Sequence, residues 1–121
     1  IGTAEIYRHV ENHKKVKEAL AVGQDWEGDQ RIILYLIMKE GVTLNDNLIL
    51  EIKSLIRQKA SPRHVPSKIF QVNDFPRTRS GKISELAVKD IIHNKEIKNT
   101  EALINPEILS IFREFPDLFE K

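Results

Sequence analysis

The run IILYLIM, residues 32–38, constrains this chain more than any other stretch: seven apolar residues without a polar interruption. A membrane-spanning helix needs about 20 such residues, so the run predicts a strand inside a folded core. With Arg31 included the strand is expected over 31–38, and residues 16–22 read as its partner strand. Between them, GQDWEGDQ (residues 23–30) has the Gly and Asp content of a hairpin connection, and Gly41 closes the second strand.

The rest of the chain reads as helices and turns. Ile6 and Val10, four apart behind Glu5, predict a short amphipathic helix over 3–13. Thr43 and Asp46 have the spacing of a capping box. Leu48, Ile49, Ile52, Leu55 and Ile56 then mark one face of a helix reaching Lys59. Pro62 and Pro66 bracket a loop that cannot be helical throughout. A short strand is expected over 68–72, and residues 73–82 are turn-rich. Ser84 is an expected N-cap for a helix using Leu86, Ala87, Ile91 and Ile92. Asn105-Pro106-Glu107 combines a cap, a proline at the first position and an acid, and predicts a last helix burying Leu109, Ile111 and Phe112. With no internal repeat or linker in view, residues 1–121 read as one small α+β domain.

Composition narrows the functions open to such a domain. Of 121 residues, 40% are hydrophobic and 31% charged, enough for a modest core. The net charge of +1 supplies no global field for nucleic acid or a membrane, so any basic site must be local. The basic stretches carry almost no interleaved aromatics, which argues against a nucleic-acid partner. The absence of cysteine excludes disulfides, thiolate metal sites and cysteine nucleophiles, and fits a reducing cytoplasm. No basic region followed by an apolar stretch marks a signal peptide at the start. The chain opens on Ile1-Gly2-Thr3 without a methionine, and a piece of a longer chain is expected.

Five groups of residues are candidates for chemistry. His9 and His13 have metal-ligand spacing, but no glutamate follows His9 and no third ligand is evident, so exposed histidines and no metal are expected. Ser80 and Ser84 lack a His-Asp partnership and are not expected to be nucleophiles. Trp26, among Asp25, Glu27 and Asp29, is expected to cover the hairpin. Arg57, Lys59, Arg63 and His64 collect at a helix end, where cations are favoured in any case; guanidinium there could also grip a phosphate. Finally, PRTRSGK (residues 76–82) loads a turn with Arg77, Arg79 and Lys82. It is not a phosphate-binding P-loop, because Pro76 stands at the first glycine position and Ile83 follows Lys82 in place of Ser or Thr. Read alone it is a solvated loop or a turn that offers one mobile ammonium to an anion placed by something else.

PRTRSGK does resemble a known motif. It is similar to the Pro-x-x-x-x-Gly-Lys sequence of adenylate-forming enzymes, the acyl-CoA and aryl-CoA synthetases, adenylation domains and luciferases. IGTAEIYRHVENHKKVKEALAVG looks like the start of their small C-terminal domain, with the hairpin and helix following in order. ASPRHVPSKIFQV, GKISELAVKDII and the tail NPEILSIFREFPDL look like the branch that activates acetoacetate.

The resemblance implies an ATP-dependent acid–CoA ligase that makes an acyl-adenylate and then a thioester, with ATP, Mg2+ and coenzyme A as its substrates and cofactor. The N-terminal domain of the same polypeptide is the expected partner and holder of the nucleotide and acyl pockets. By this resemblance Lys82 is the catalytic lysine of the first step, and Ser80 and Gly81 shape the turn that carries it. Arg57 matches a position that contacts the coenzyme A nucleotide phosphate in acetyl-CoA synthetases, and Glu5 matches an acid with a structural role. The hinge and the loop lining the pantetheine tunnel fall upstream of Ile1. Related synthetases are switched off by acetylation at the matching lysine, so a lysine acetyltransferase and deacetylase are expected to act on Lys82. Isolated, such a domain is expected to fold and to turn nothing over. A ligase for acetate or propionate, or an inactive interaction module of the same fold, are the alternatives.

Overall fold

The computed structural model describes residues 3–121. The apolar run lies in the middle strand of a three-stranded sheet, β2 (Asp29–Met38), and all seven of its side chains are buried. Neighbouring side chains on a strand point to opposite faces, so an uninterrupted run needs apolar cover on both. Ile32, Leu34, Leu36 and Met38 pack in one layer with α1 (Ala4–Val10) and α2 (Asp46–Lys59). Ile33, Tyr35 and Ile37 pack in the other with α3 (Glu85–Ile92) and the C-terminal tail. The fold is the expected α+β type.

Strand β1 (Val16–Trp26) pairs antiparallel with β2, and β3 (Lys68–Gln71) pairs parallel on its far side. A parallel neighbour requires a crossover, and α2 makes it. The free edge of β1 is covered by Tyr7. Its hydroxyl accepts from the Ala21 N–H at 2.9 Å and donates to the Ala21 carbonyl at 3.3 Å, closing edge groups that would otherwise invite pairing.

Several local expectations need correction. GQDWEGDQ is mostly strand, because β1 runs to Trp26 and β2 starts at Asp29. Only Glu27 and Gly28 turn the chain, at φ 49 and 79, the paired left-handed geometry whose twist matches the strands it joins. The Arg31 guanidinium sits 3.7 Å over the Trp26 ring, so that tryptophan covers the hairpin as expected. The Thr43–Asp46 box does not form. Leu44 is tied by its N–H to Gln71 Oε1 at 2.9 Å, and Asn45 is the N-cap, accepting from the Leu48 N–H at 2.9 Å. Helix α1 stops at Val10 because the His13 and Val16 amides bond three residues back and turn the chain.

Ser84 stands at the N-cap of α3 without a side-chain cap bond. The buried face of that helix is Ala87, Val88 and Ile92, and Leu86 is 66% exposed. The helical neighbours of Leu86 three and four residues on are Lys89 and Asp90, whereas those of Val88 are Ile91 and Ile92. The last helix does start at Pro106, but Pro106–Arg113 is a 3-10 helix, with further 3-10 turns at Thr100–Ala102 and Pro116–Phe119. Tyr35 donates from its buried hydroxyl to the Phe112 carbonyl at 3.1 Å. Gln24 Nε2 and Arg31 Nη2 both donate to the Leu118 carbonyl at 2.9 Å. These bonds and a Phe70–Phe115 stack at 4.3 Å seal the tail onto the sheet. No helix among the described residues is long and apolar enough to cross a membrane.

Candidate functional site

PRTRSGK folds into a small β-hairpin that leaves the tail-side layer. Phe75 and Pro76 are buried at its root. Arg77 pairs antiparallel with Ile83, the Thr78 N–H donates to the Lys82 carbonyl at 2.8 Å, and the Ser84 N–H donates to the Pro76 carbonyl at 2.8 Å. The turn 78–81 closes on a Gly81 N–H to Thr78 carbonyl bond of 2.8 Å, with Gly81 at φ 88. A turn followed by a left-handed residue is the three-residue hairpin loop with a bulge, and glycine is the residue that adopts it without strain.

The three cations of this stretch have different fates. Arg77 is the hairpin's anchor: Nη2 donates to Glu18 Oε2 at 2.6 Å and Nε to Asp74 Oδ1 at 3.0 Å. The bond to Glu18 is the main reason its pKa rises above the ordinary guanidinium value. Arg79 is exposed, and among the described residues it reaches only the Glu101 carbonyl, at 3.3 Å. Lys82 is exposed, and among the described residues it forms no ion pair. Its neighbour Ile83 packs inward on the core, so the hairpin arm alternates and turns the ammonium to solvent. Ser80 Oγ lies 3.0 Å from Thr78 Oγ1, inside the turn. Of the apparent phosphate-gripping cluster, Arg77 is spent on structure, and the exposed Arg79 and Lys82 remain on a braced turn.

The other candidates separate likewise. His9 and His13 are half-buried rather than exposed, and they face different carboxylates. His9 Nε2 is 3.7 Å from Glu5 Oε2, and His13 Nε2 is 2.5 Å from Glu51 Oε2. His13 Nδ1 accepts from the Lys15 N–H at 3.1 Å, so Nε2 carries the proton donated to Glu51. Glu5 also pairs with Arg8 at 3.2 Å and serves α1 locally. No group of three or more His, Asp or Glu that could hold a metal occurs among the described residues. Arg57, Lys59 and Arg63 are exposed at the end of α2 and the Pro62–His64 turn, and His64 Nδ1 meets Ser61 Oγ at 2.7 Å. Arg57 and Lys82 therefore project from elements packed on opposite faces of the sheet.

Residues 8–82 match the AMP-binding enzyme C-terminal domain family, more than half of the chain. The chain belongs to that family. Acetoacetyl-coenzyme A synthetase of Rhizobium meliloti (strain 1021) is 55% identical over 118 residues, covering 98% of this chain and 18% of that protein. Acetoacetyl-CoA synthetase from Streptomyces lividans superposes with a TM-score of 0.82 at 32% identity, over 94% of this chain and 18% of that one. Brucella canis acyl-CoA synthetase, at 24% identity, shares the fold alone, with a TM-score of 0.72 over 78% of this chain and 18% of its own. The chain spans about 18% of the length of the curated relatives it matches. The match to the AMP-binding enzyme C-terminal domain ends at Lys82, so α3 and the tail, which meet the hairpin from behind, lie beyond it. The sequence reading also missed Glu18, Asp74 and Asn105 as supports of that hairpin.

Proposed function

We propose that this chain is the mobile C-terminal domain of an ATP-dependent acid–CoA ligase, with acetoacetate as its acid. In such a ligase a carboxylate oxygen attacks the α-phosphorus of ATP, pyrophosphate leaves, and an acyl-adenylate forms. The coenzyme A thiol then attacks the acyl carbon, its proton is lost, AMP leaves, and a thioester remains. The observation that carries the reading is Lys82: an exposed ammonium without an ion pair among the described residues, on a glycine-closed hairpin. Placed between an incoming carboxylate and the phosphate oxygens, it offsets the repulsion of two anions and stabilises charge developing in transfer. Lys82 acts as an electrostatic clamp and moves no proton.

The nucleotide and acyl pockets belong to a large N-terminal domain of the same polypeptide. The concavity beside the hairpin, about 300 Å³ and lined by Thr78, Ser84, Leu86, Asp90 and Leu103, is mainly apolar and at the low end for a small-ligand site. Mg2+ is usually held by one or two carboxylates together with the nucleotide phosphates, so the ion would travel with ATP in the other domain. Arg57, on the opposite layer, is free to serve coenzyme A after a domain rotation that withdraws Lys82. Acetylation of Lys82 would remove the charge and switch off the first step. The cytoplasm, where ATP and coenzyme A are both available, is the proposed location.

The test is the full-length enzyme against acetoacetate, acetate and propionate, with AMP release and thioester followed together. Acetoacetate is expected to give the highest kcat/KM. Preference for another acid overturns the substrate assignment, and failure to adenylate any acid overturns the ligase reading in favour of an interaction module.

A further inference from the structure

The hairpin that carries Lys82 has few bonds of its own, and a two-stranded ribbon of this size is marginal in water. Besides the Arg77 bonds to Glu18 and Asp74, what fixes it lies in the tail. Asn105 occupies the N-cap position of Pro106–Arg113 but makes no cap bond. Its Nδ2 donates instead to the Phe75 carbonyl at 2.8 Å, and its Oδ1 accepts from the Arg77 N–H at 2.9 Å. One primary amide, with a donor and an acceptor side by side, thus replaces a peptide group for the two residues flanking Pro76, which has no N–H to offer. The Ile104 N–H donates to the Arg77 carbonyl at 2.9 Å, and Leu103 pairs antiparallel with Thr78. Residues 103–105 therefore act as a third strand along the outgoing arm of the hairpin.

Asn105 is separable from the tail's own anchorage. Phe112 and Leu118 are fully buried, and Tyr35, Gln24 and Arg31 bond the tail backbone without its help. Removing the Asn105 amide would leave the tail on the sheet and loosen the root of the hairpin, which would keep Phe75 buried and Arg77 on Glu18 and Asp74.

We propose that Asn105 is a positioning residue for the adenylation step, acting through the 75–83 hairpin to hold the Lys82 ammonium in place. This rests on the assignment of Lys82 to adenylation made above. Among the described residues Lys82 has no side-chain bond that would fix it from its own end, so its placement depends on the backbone beneath it. A misplacement of the order of 1 Å can cost about 100-fold in rate.

The test uses the full-length synthetase with Asn105→Ala, Asn105→Asp, Lys82→Ala and the Asn105→Ala/Lys82→Ala double variant. Asn105→Ala is expected to slow adenylation by about 10–100-fold and to leave thioester formation from supplied acyl-adenylate at the wild-type rate. Amide exchange should quicken in residues 76–84 and stay unchanged in 106–118. In the Lys82→Ala background the same substitution should cost nothing further, because its effect passes through the lost ammonium. Asn105→Asp keeps the acceptor for Arg77 but not the donor to Phe75, and should fall between; if Asn105→Ala does not fold, it is judged by the same criteria. Equal loss in both half-reactions, additive loss in the double variant, or unchanged adenylation overturns the proposal. If Lys82→Ala itself leaves adenylation intact, the assignment of Lys82 fails; if only Lys82→Ala is slow, the role of Asn105 alone fails.

Discussion

Gly81 holds φ 88 with nothing within 4 Å of where a β-carbon would sit. The demand for glycine is therefore in the backbone, not in the space around it. Forcing an L side chain into the left-handed region costs about 1–2 kcal/mol. Gly81→Ala should lower the urea-unfolding stability of the chain by that amount, and Gly81→Asn by less, because asparagine tolerates the conformation. Equal stability of all three would remove the strain argument. The glycine and the lysine after it were legible in PRTRSGK. The division of labour among its cations was not, because Arg77 is claimed by Glu18, a residue 59 positions away. Asn105 was misread for the same reason: its cap spacing is local, but its partners lie 28 and 30 residues back.

Among the elements, the middle strand was legible because burial on both faces leaves a continuous apolar run. The last helix starts at Pro106 as expected but is of the 3-10 type, and the signal for that was present: Leu109, Phe112, Phe115 and Leu118 recur every three residues. On a 3-10 helix, side chains three apart eclipse one another, so Leu109 and Phe112 share one face of Pro106–Arg113; Leu109 packs with Ala87 and Leu103, and Phe112 and Leu118 pack on the sheet. Leu118 is fully buried and Phe119 is 48% exposed. Leu118→Ala should cost about 2–5 kcal/mol of unfolding free energy, against less than about 0.5 kcal/mol for Phe119→Ala. Similar losses at both positions would mean the tail is not packed this way. A second element contact, His13 to Glu51, joins the α1–β1 connection to α2. The hydrogen bond from His13 is the main reason the Glu51 carboxyl is held below its ordinary value of 4.5, with Lys15 and Lys14 adding attraction. A lowered carboxyl pKa contributes stability above the ordinary value, and that contribution is lost as pH falls through the lowered one. The stability difference between wild type and Glu51→Gln should accordingly be present at neutral pH and shrink below about pH 4. A difference that stays constant with pH would contradict it.

Across the whole molecule, the two-layer arrangement places Arg57 and Lys82 on elements that face away from each other. One orientation against a partner domain would bring up one of them, which fits a ligase that uses two orientations for two half-reactions. Arg57→Ala in the full-length enzyme should raise the KM for coenzyme A by about 10–100-fold, the scale of a lost charge-assisted hydrogen bond, and leave acyl-adenylate formation alone. An unchanged response to coenzyme A would return Arg57 to the ordinary preference of cations for a helix end. The central claim is the confinement of Lys82 to the first half-reaction, and it is tested most directly by measuring both half-reactions of Lys82→Ala in the full-length enzyme. Acyl-adenylate synthesis should slow by about 100–1,000-fold, the usual effect of losing one preorganised electrostatic contact, while supplied acyl-adenylate and coenzyme A give thioester at close to the wild-type rate. Equal loss in the two half-reactions would contradict the account and make Lys82 a support for folding or domain docking.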